Sequence, residues 1–201
     1  IRDREWMSRK VSPSALNTYL DCTMNFYYQY ILRLGEIDEV EETISDSTFG
    51  SIIHAVLEDL FEPHLEKDIK EEDWDKMLVL YPALLKKRYS EGLKDSSFDS
   101  GKNYLSFKVA SNYIKRFISI QKDEWRDTYF ENLKVNALEQ TLEGKLTLGN
   151  KWEVNVFGNI DRIDDVNGKI RVVDYKSGNV QVSDLSAVSY THLRAHETQS
   201  D

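Results

Sequence analysis

The chain has 201 residues, of which 40% are hydrophobic and 30% are charged, and its formal net charge is -9. This composition is too apolar for a disordered protein, and the length fits one domain with a sizeable core. No stretch approaches the ~20 uninterrupted apolar residues of a membrane-spanning helix, and no secretory signal is present, so we expect a cytoplasmic protein without a membrane partner. The acidic balance argues against broad attraction to phosphate backbones, so any nucleic-acid contact is expected to be local or metal-mediated.

Both ends of the sequence are expected to lie outside the folded domain. Residues 1–10 are charged and show no helical or strand period, so we interpret them as a linker remnant. Residues 188–201 resemble a translated sequencing adaptor and are interpreted as a non-native tail. That interpretation sets aside His192 and His196, whose spacing would otherwise indicate a metal site. The predicted domain therefore covers residues 11–187.

The first part of the domain is predicted to be helical. Ser12 followed by Pro13 is typical of a helix start. The clearest amphipathic helix covers residues 46–61, where apolar side chains recur at helical spacing and His54 lies at the edge of the apolar face.

The second part changes from a helical to a strand period. A helical insertion of about 62–130 is predicted, with helices over 72–92 and 102–126, and it carries no chemical motif. Runs of alternating, β-branched and aromatic residues then predict strands. These strands cover residues 133–148, 151–163 and 169–176.

A tight turn sets the register of the last two strands. Asn167-Gly168 between two β-rich runs predicts a hairpin with a two-residue type I′ turn. In that register Asp164 faces Arg171, which is a favourable cross-strand charge pair. The same register places Asp161 opposite Asp174.

Two facing carboxylates repel each other unless a cation compensates them, and Mg²⁺ or Mn²⁺ prefers such oxygen ligands. Lys176 shares the face of Asp174, because strand side chains alternate with period two. An isolated Asp-x-Lys pair is usually a solvated ion pair, so the facing Asp161 is what favours a catalytic interpretation. A lysine beside a metal-bound phosphate can orient or help deprotonate the attacking water, which indicates hydrolysis of a phosphodiester.

Three ordered blocks of the sequence resemble the PD-(D/E)XK nuclease superfamily, in the RecB-like branch that includes AddB-type helicase-nuclease subunits. The blocks are 12–28, 49–58, and 158–164 followed by 172–178. The resemblance implies an α/β, restriction-endonuclease-like core, in which a mixed central sheet is flanked by helices and interrupted by the helical insertion. It also implies a Mg²⁺- or Mn²⁺-dependent DNA nuclease domain of a larger repair or recombination protein, with DNA and a helicase domain or subunit as partners.

The resemblance assigns roles to individual residues. Asp161 and Asp174 would be metal ligands, His54 a further ligand from its helix, and Lys176 the catalytic lysine. The backbone carbonyl of Tyr175 would complete the protein ligands of the metal.

Three other polar residues stay outside this set. We assign Glu58 and Glu139 solvated or structural roles. Cys22, the single cysteine, matches the first of four cysteines that bind an iron-sulfur cluster in some relatives. The other three would lie beyond this sequence, and Cys22 is expected to be a small buried hydrophobe.

Two other functions compete with a nuclease. In one, the nuclease fold is catalytically inactive and binds nucleic acid or a partner subunit. In the other, the carboxylates form a Ca²⁺ site unrelated to nucleic acid. The joint presence of His54, Asp161, Asp174 and Lys176 favours catalysis, because a site released from catalysis has no chemical reason to keep all four.

Overall fold

A computed structural model of the chain describes five ranges of residues. These are 10–34, 44–93, 100–127, 132–148 and 152–178. Residues 1–9 of the predicted linker remnant and all of the predicted tail lie outside these ranges. The chain divides into two compact units, one of Ile1–Val40 with Gln140–Asn159 and one of Glu41–Glu139 with Ile160–Asp201.

The smaller unit begins with the predicted helix start. The Ser12 hydroxyl caps the first helix by accepting a hydrogen bond from Ala15 N at 3.2 Å, and Pro13 occupies the first helical position, which confirms the prediction. Val11 pairs with the strand segment around Val156 and is buried. The helical segments of this unit are α1 (Pro13–Asp21), α2 (Thr23–Phe26) and a π-helical turn (Tyr27–Ile31).

Cys22 lies between the first two helices with an exposed thiol. The prediction of a buried hydrophobe is therefore wrong. Cys22 is the residue at which α1 ends and α2 begins, and its extended backbone places it outside both helices.

The larger unit contains the predicted long helices and the main core. The helices are α3 (Asp46–Phe61), a 3₁₀ turn (Glu62–His64), α4 (Glu71–Gly92) and α5 (Gly101–Arg126). The predicted helices over 46–61, 72–92 and 102–126 agree with these bounds to within one residue. Fully buried side chains from the three helices pack together; the largest are Trp74, Tyr89, Phe61, Met77, Leu85, Ile114 and Ile118. None of the helices within the described ranges has both the length and the apolar character to cross a bilayer.

One sheet follows the helices in the chain. Its strands are β1 (Leu133–Leu148), β2 (Trp152–Val166) and β3 (Lys169–Val173), in the order β1-β2-β3. β2 and β3 are antiparallel, whereas Leu65 forms a single parallel bridge to Val135. Helices and a sheet share one core, as the α/β prediction requires.

The turn between β2 and β3 has the predicted chemistry. Asn167 and Gly168 both have positive φ, 52° and 79°, as a type I′ turn needs. Asp164 pairs with Arg171, which confirms the register. The prediction that the last strand reaches residue 176 is wrong, because β3 ends at Val173.

Candidate metal centre

Helix α3 brings His54 to the edge of the core. The Ser45 hydroxyl caps the helix by accepting a hydrogen bond from Thr48 N at 3.2 Å, and Asp46 in the first turn complements the helix dipole. The apolar face of the helix fixes its rotation. That face consists of Ile52, Ile53, Val56, Leu57, Leu60 and Phe61, all buried. The His54 side chain is left 30% exposed.

Asp161 on β2 joins this helix to the segment after β3. The residue is 7% exposed. Its Oδ1 lies 3.4 Å from His54 Nδ1, and its Oδ2 accepts a hydrogen bond from Tyr175 N. The Tyr175 N–H donates to this carboxylate and not to a backbone carbonyl of β2, so backbone pairing of the two strands ends at Val173.

Glu139 on β1 also reaches His54. Its Oε1 lies 3.9 Å from His54 Nδ1. The residue has a φ of 44°, in the left-handed region that non-glycine residues rarely adopt and that is strained inside a strand. The predicted solvated or structural role of Glu139 does not anticipate this contact with His54.

Three metal-ligating atoms, one each from His54, Glu139 and Asp161, lie within 4.8 Å of one another. His54 Nε2 lies 2.8 Å from the carbonyl oxygen of Tyr175. When Nε2 carries the hydrogen and donates it to this carbonyl, Nδ1 directs its lone pair at the two carboxylates. Three acceptors then converge with no donor between them.

The pKa values of His54 and Glu139 are both raised. When Nδ1 is protonated it can donate to Asp161, and this hydrogen bond raises the pKa of His54 above its ordinary value, although burial opposes the shift. Burial raises the pKa of the Glu139 carboxyl, and the negative charge of Asp161 raises it further. Both shifts favour the protonated form of the group, and a cation bound between the carboxylates would relieve the repulsion between Asp161 and Glu139.

The donor set fits a divalent cation. Carboxylate oxygens suit Mg²⁺, Mn²⁺ and Ca²⁺, and an imidazole nitrogen adds affinity for transition metals. The Tyr175 carbonyl holds the second nitrogen of His54, which is the usual support for a metal-bound histidine. The predicted role of that carbonyl as a ligand in its own right stays a prediction.

Asp174 and Lys176 form an ion pair beside the cluster. Lys176 Nζ lies 2.8 Å from Asp174 Oδ2. The structure does not bring Asp174 into the three-residue cluster; Asp174 instead lines a small cavity formed with apolar side chains of α3 and α5. The ligand role of Asp174 and the catalytic role of Lys176 stay predictions.

A cleft of about 670 Å³ opens over the cluster. His54, Glu139 and Lys176 line it, as does Glu58. Gly50 allows α3 to pack closely on the segment after β3, since a Cβ at this position would lie 3.1 Å from Ser177 Oγ. The cleft is thus acidic, with one lysine at its border.

The sequence model of the PD-(D/E)XK nuclease superfamily matches residues 10–199. The match covers nearly the whole chain and includes every block on which the resemblance was based. The chain therefore belongs to the PD-(D/E)XK nuclease superfamily, which confirms the predicted family and the restriction-endonuclease-like class of the fold.

Three curated relatives share one name, which describes each as a subunit of an ATP-dependent helicase/deoxyribonuclease. The relative in Clostridioides difficile (strain 630) is 26% identical, over 92% of this chain and 17% of the relative. That in Clostridium acetobutylicum is 30% identical, over 91% of this chain and 16% of the relative. That in Streptococcus agalactiae serotype Ia is 25% identical, over 84% of this chain and 14% of the relative. The chain spans about a sixth of the length of these relatives.

Proposed function

We propose that this chain is a divalent-metal-dependent deoxyribonuclease domain that uses Mg²⁺ or Mn²⁺. Membership of the nuclease superfamily supports phosphodiester hydrolysis. The name shared by the relatives supports DNA as the substrate and a helicase domain or subunit as the partner. The observation that carries metal dependence is the convergence of His54, Glu139 and Asp161.

His54, Glu139 and Asp161 would hold the cation, which when bound supplies a polarised phosphate oxygen and an activated water. Tyr175 orients two of these residues, because its N–H holds the Asp161 carboxylate and its carbonyl contacts His54 Nε2. These backbone contacts fix the orientation of both side chains, which limits the reorganisation needed on binding.

Lys176 is the residue that we assign to the phosphate. Its side chain is 56% exposed at the border of the cleft, with Asp174 as its ion-pair partner. A phosphate oxygen would compete with Asp174 for the ammonium group. We retain Asp174 as a further ligand, because it directly precedes Tyr175, whose backbone contacts two members of the cluster.

A nuclease assay on the 201-residue chain tests the proposal, with single-stranded DNA, double-stranded DNA and RNA as substrates. We expect DNA cleavage with Mg²⁺ or Mn²⁺ and none in excess chelator. Lys176→Ala should lower the rate about 100-fold or more, while Mn²⁺ affinity stays unchanged. Lys86→Ala is the matched control, because Lys86 is exposed on α4. Cleavage that resists chelation, or full activity of Lys176→Ala, would contradict the proposal.

A second candidate is a catalytically inactive module that binds nucleic acid or a partner subunit. The ion pair between Asp174 and Lys176 favours it, since both side chains are engaged with each other outside the cluster. This candidate requires that no metal tested supports cleavage, and that the chain binds DNA where nucleic acid is its partner. A Ca²⁺ site unrelated to nucleic acid would instead give Ca²⁺-dependent stabilisation with neither binding nor cleavage of DNA.

A further inference from the structure

Arg162 directly follows Asp161 in β2, and its side chain points to the opposite face of the strand. It is fully buried, at 0% exposure. The guanidinium carbon lies 4.2 Å from the centroid of the Phe61 ring and 5.8 Å from those of Phe117 and Tyr175. Three aromatic rings therefore surround a permanent cation, on the side of β2 opposite to Asp161.

Two polar side chains, Gln121 and Asp164, contact this guanidinium. Its Nη2 donates to Gln121 Oε1 at 2.7 Å, and its Nε forms an ion pair with Asp164 Oδ1 at 3.0 Å. Asp164 also accepts two hydrogen bonds from Arg171, and Arg171 shares the Gln121 oxygen. By hydrogen-bond geometry neither Nε nor Nη1 of Arg162 has an aligned partner within the described residues, so the contact of Nε with Asp164 is an ion pair only.

Tyr175 faces the guanidinium with its hydroxyl group. The hydroxyl interacts electrostatically with Arg162, and no well-aligned hydrogen bond to it is made within the described part of the chain. The ring is fixed edge-on against two others, 5.4 Å from Phe117 and 5.6 Å from His54 between centroids. The Tyr175 side chain is thus held between the buried cation and the histidine of the cluster.

The backbone of Tyr175 contacts the other side of the same centre. Its N–H donates to Asp161, and its carbonyl contacts His54 Nε2. A shift of Tyr175 as a whole residue would therefore move the two backbone groups that orient Asp161 and His54.

We propose that Arg162 is a positioning residue of the metal centre and that it acts through Tyr175. Burying a guanidinium costs free energy of desolvation. When some of its donors lack hydrogen-bond partners, that cost is only partly offset, so stability of the fold alone does not explain why Arg162 is buried. Its position is explained when it fixes the ring whose backbone orients two cluster residues. The metal-binding part of this inference rests on the proposed function, whereas the position of Tyr175 does not.

Amide hydrogen exchange of the metal-free chain tests the position of Tyr175 directly. Arg162→Met keeps the volume but removes the cation, and we expect exchange of the Tyr175 N–H about tenfold faster, relative to the core amide of Leu85. Arg171→Met is the matched control, because it perturbs the same Asp164 and Gln121 contacts. We expect it to change the Tyr175 ratio by less than about twofold. An unchanged ratio in Arg162→Met would overturn the proposal.

Mn²⁺ titration by calorimetry tests the consequence for the centre. Arg162→Met should raise the Mn²⁺ Kd about tenfold, as expected for loss of a group that supports metal ligands. Tyr175→Phe, which keeps the ring and the fold, should raise it about threefold. The double variant should bind Mn²⁺ no more weakly than Arg162→Met does. Once Arg162 is replaced, the Tyr175 hydroxyl has no cation to interact with, so removing the hydroxyl as well costs no further affinity.

Each other outcome of the titration has a definite meaning. Independent losses that multiply in the double variant, or a wild-type Kd in Arg162→Met, would overturn action through Tyr175. If the unsubstituted chain binds no Mn²⁺, the proposed function fails. The exchange ratio then still decides whether Arg162 positions Tyr175.

Discussion

The two faces of β2 at residues 161 and 162 show opposite ways of handling charge. On the cleft side, Asp161 meets Glu139 and His54, and all three present acceptors to a partly exposed space. On the buried side, Arg162 and its neighbours combine guanidinium donors with carboxylate and amide acceptors.

The two sites differ in how far positive groups compensate the negative ones, and not in the number of charges. In the buried network the carboxylate of Asp164 is flanked by two guanidiniums, Arg162 and Arg171, and Gln121 links them to the helix α5. In the cleft, Lys176 is paired with Asp174, so the positive charge that Asp161 and Glu139 lack has to come from a bound cation or from a proton on His54. An excess of convergent acceptors therefore indicates a cation site, whereas a balanced cluster indicates structure.

Asp161→Asn gives the largest expected effect. The asparagine keeps the shape and an acceptor for Tyr175 N but removes one negative charge. We expect Mn²⁺ affinity to fall at least about 100-fold, because a direct ligand matters more than a supporting group. Cleavage should be lost with it, while the free energy of unfolding without metal stays the same or rises as repulsion is relieved. Calorimetry and chemical denaturation measure the two quantities, and an unchanged Kd would remove Asp161 from the centre.

Asp164→Asn should show the opposite combination. The substitution leaves Arg162 and Arg171 buried without their shared carboxylate. We expect the free energy of unfolding to fall by about 3–5 kcal/mol, the usual cost of removing one partner of a buried ion pair. The Mn²⁺ Kd of the folded fraction should change far less than in Asp161→Asn. If both substitutions acted alike on stability and affinity, the distinction between the two faces would be wrong.

Glu139 offers two substitutions that separate ligand from backbone. Glu139→Gln keeps the side-chain shape and should raise the Mn²⁺ Kd about tenfold by removing one charge. Glu139→Gly should weaken Mn²⁺ binding as well, yet stabilise the chain by about 1 kcal/mol, because glycine adopts the positive φ without strain. Stability of the glycine variant below that of Glu139→Gln would show that the strained backbone is not the dominant cost at this position.

The sequence predicts those parts of the centre that depend on local chemistry. Asn167 and Gly168 are residues that accept positive φ, so they determine the turn and with it the pairing of Asp164 with Arg171. The bounds of α4 and α5 follow in the same way from helical periodicity, which needs no knowledge of distant residues.

The parts that the sequence does not predict depend on long-range contacts. Glu139 contacts His54 at a point where the backbone of β1 has a positive φ. No local sequence pattern predicts this contact between β1 and α3. Strand alternation likewise extends to Lys176, but hydrogen-bonded pairing ends at Val173 because Asp161 accepts the Tyr175 N–H. A side-chain acceptor thus replaces the strand partner that periodicity alone would assign.

Gly50→Ala gives the smallest expected effect and tests how closely α3 must pack on the segment that carries Lys176. The new Cβ would lie 3.1 Å from Ser177 Oγ, so this segment has to shift by a few tenths of an ångström. Alanine also favours the helix by up to about 1 kcal/mol, so we expect unchanged or slightly higher stability. Because Lys176 moves with Ser177, kcat for DNA cleavage should fall about threefold while the Mn²⁺ Kd is retained.

Gly92→Ala is the matched control for this substitution. Its Cβ would meet Ile52 at 3.2 Å, so it crowds the same helix α3 to a similar degree but does so at the end of α4. We expect no change in kcat. Equal losses in both variants would mean that crowding of α3 in general, and not the placement of Lys176, limits the rate. A loss confined to Gly50→Ala would tie the rate to the segment after β3, on which the assignment of Lys176 to the phosphate depends.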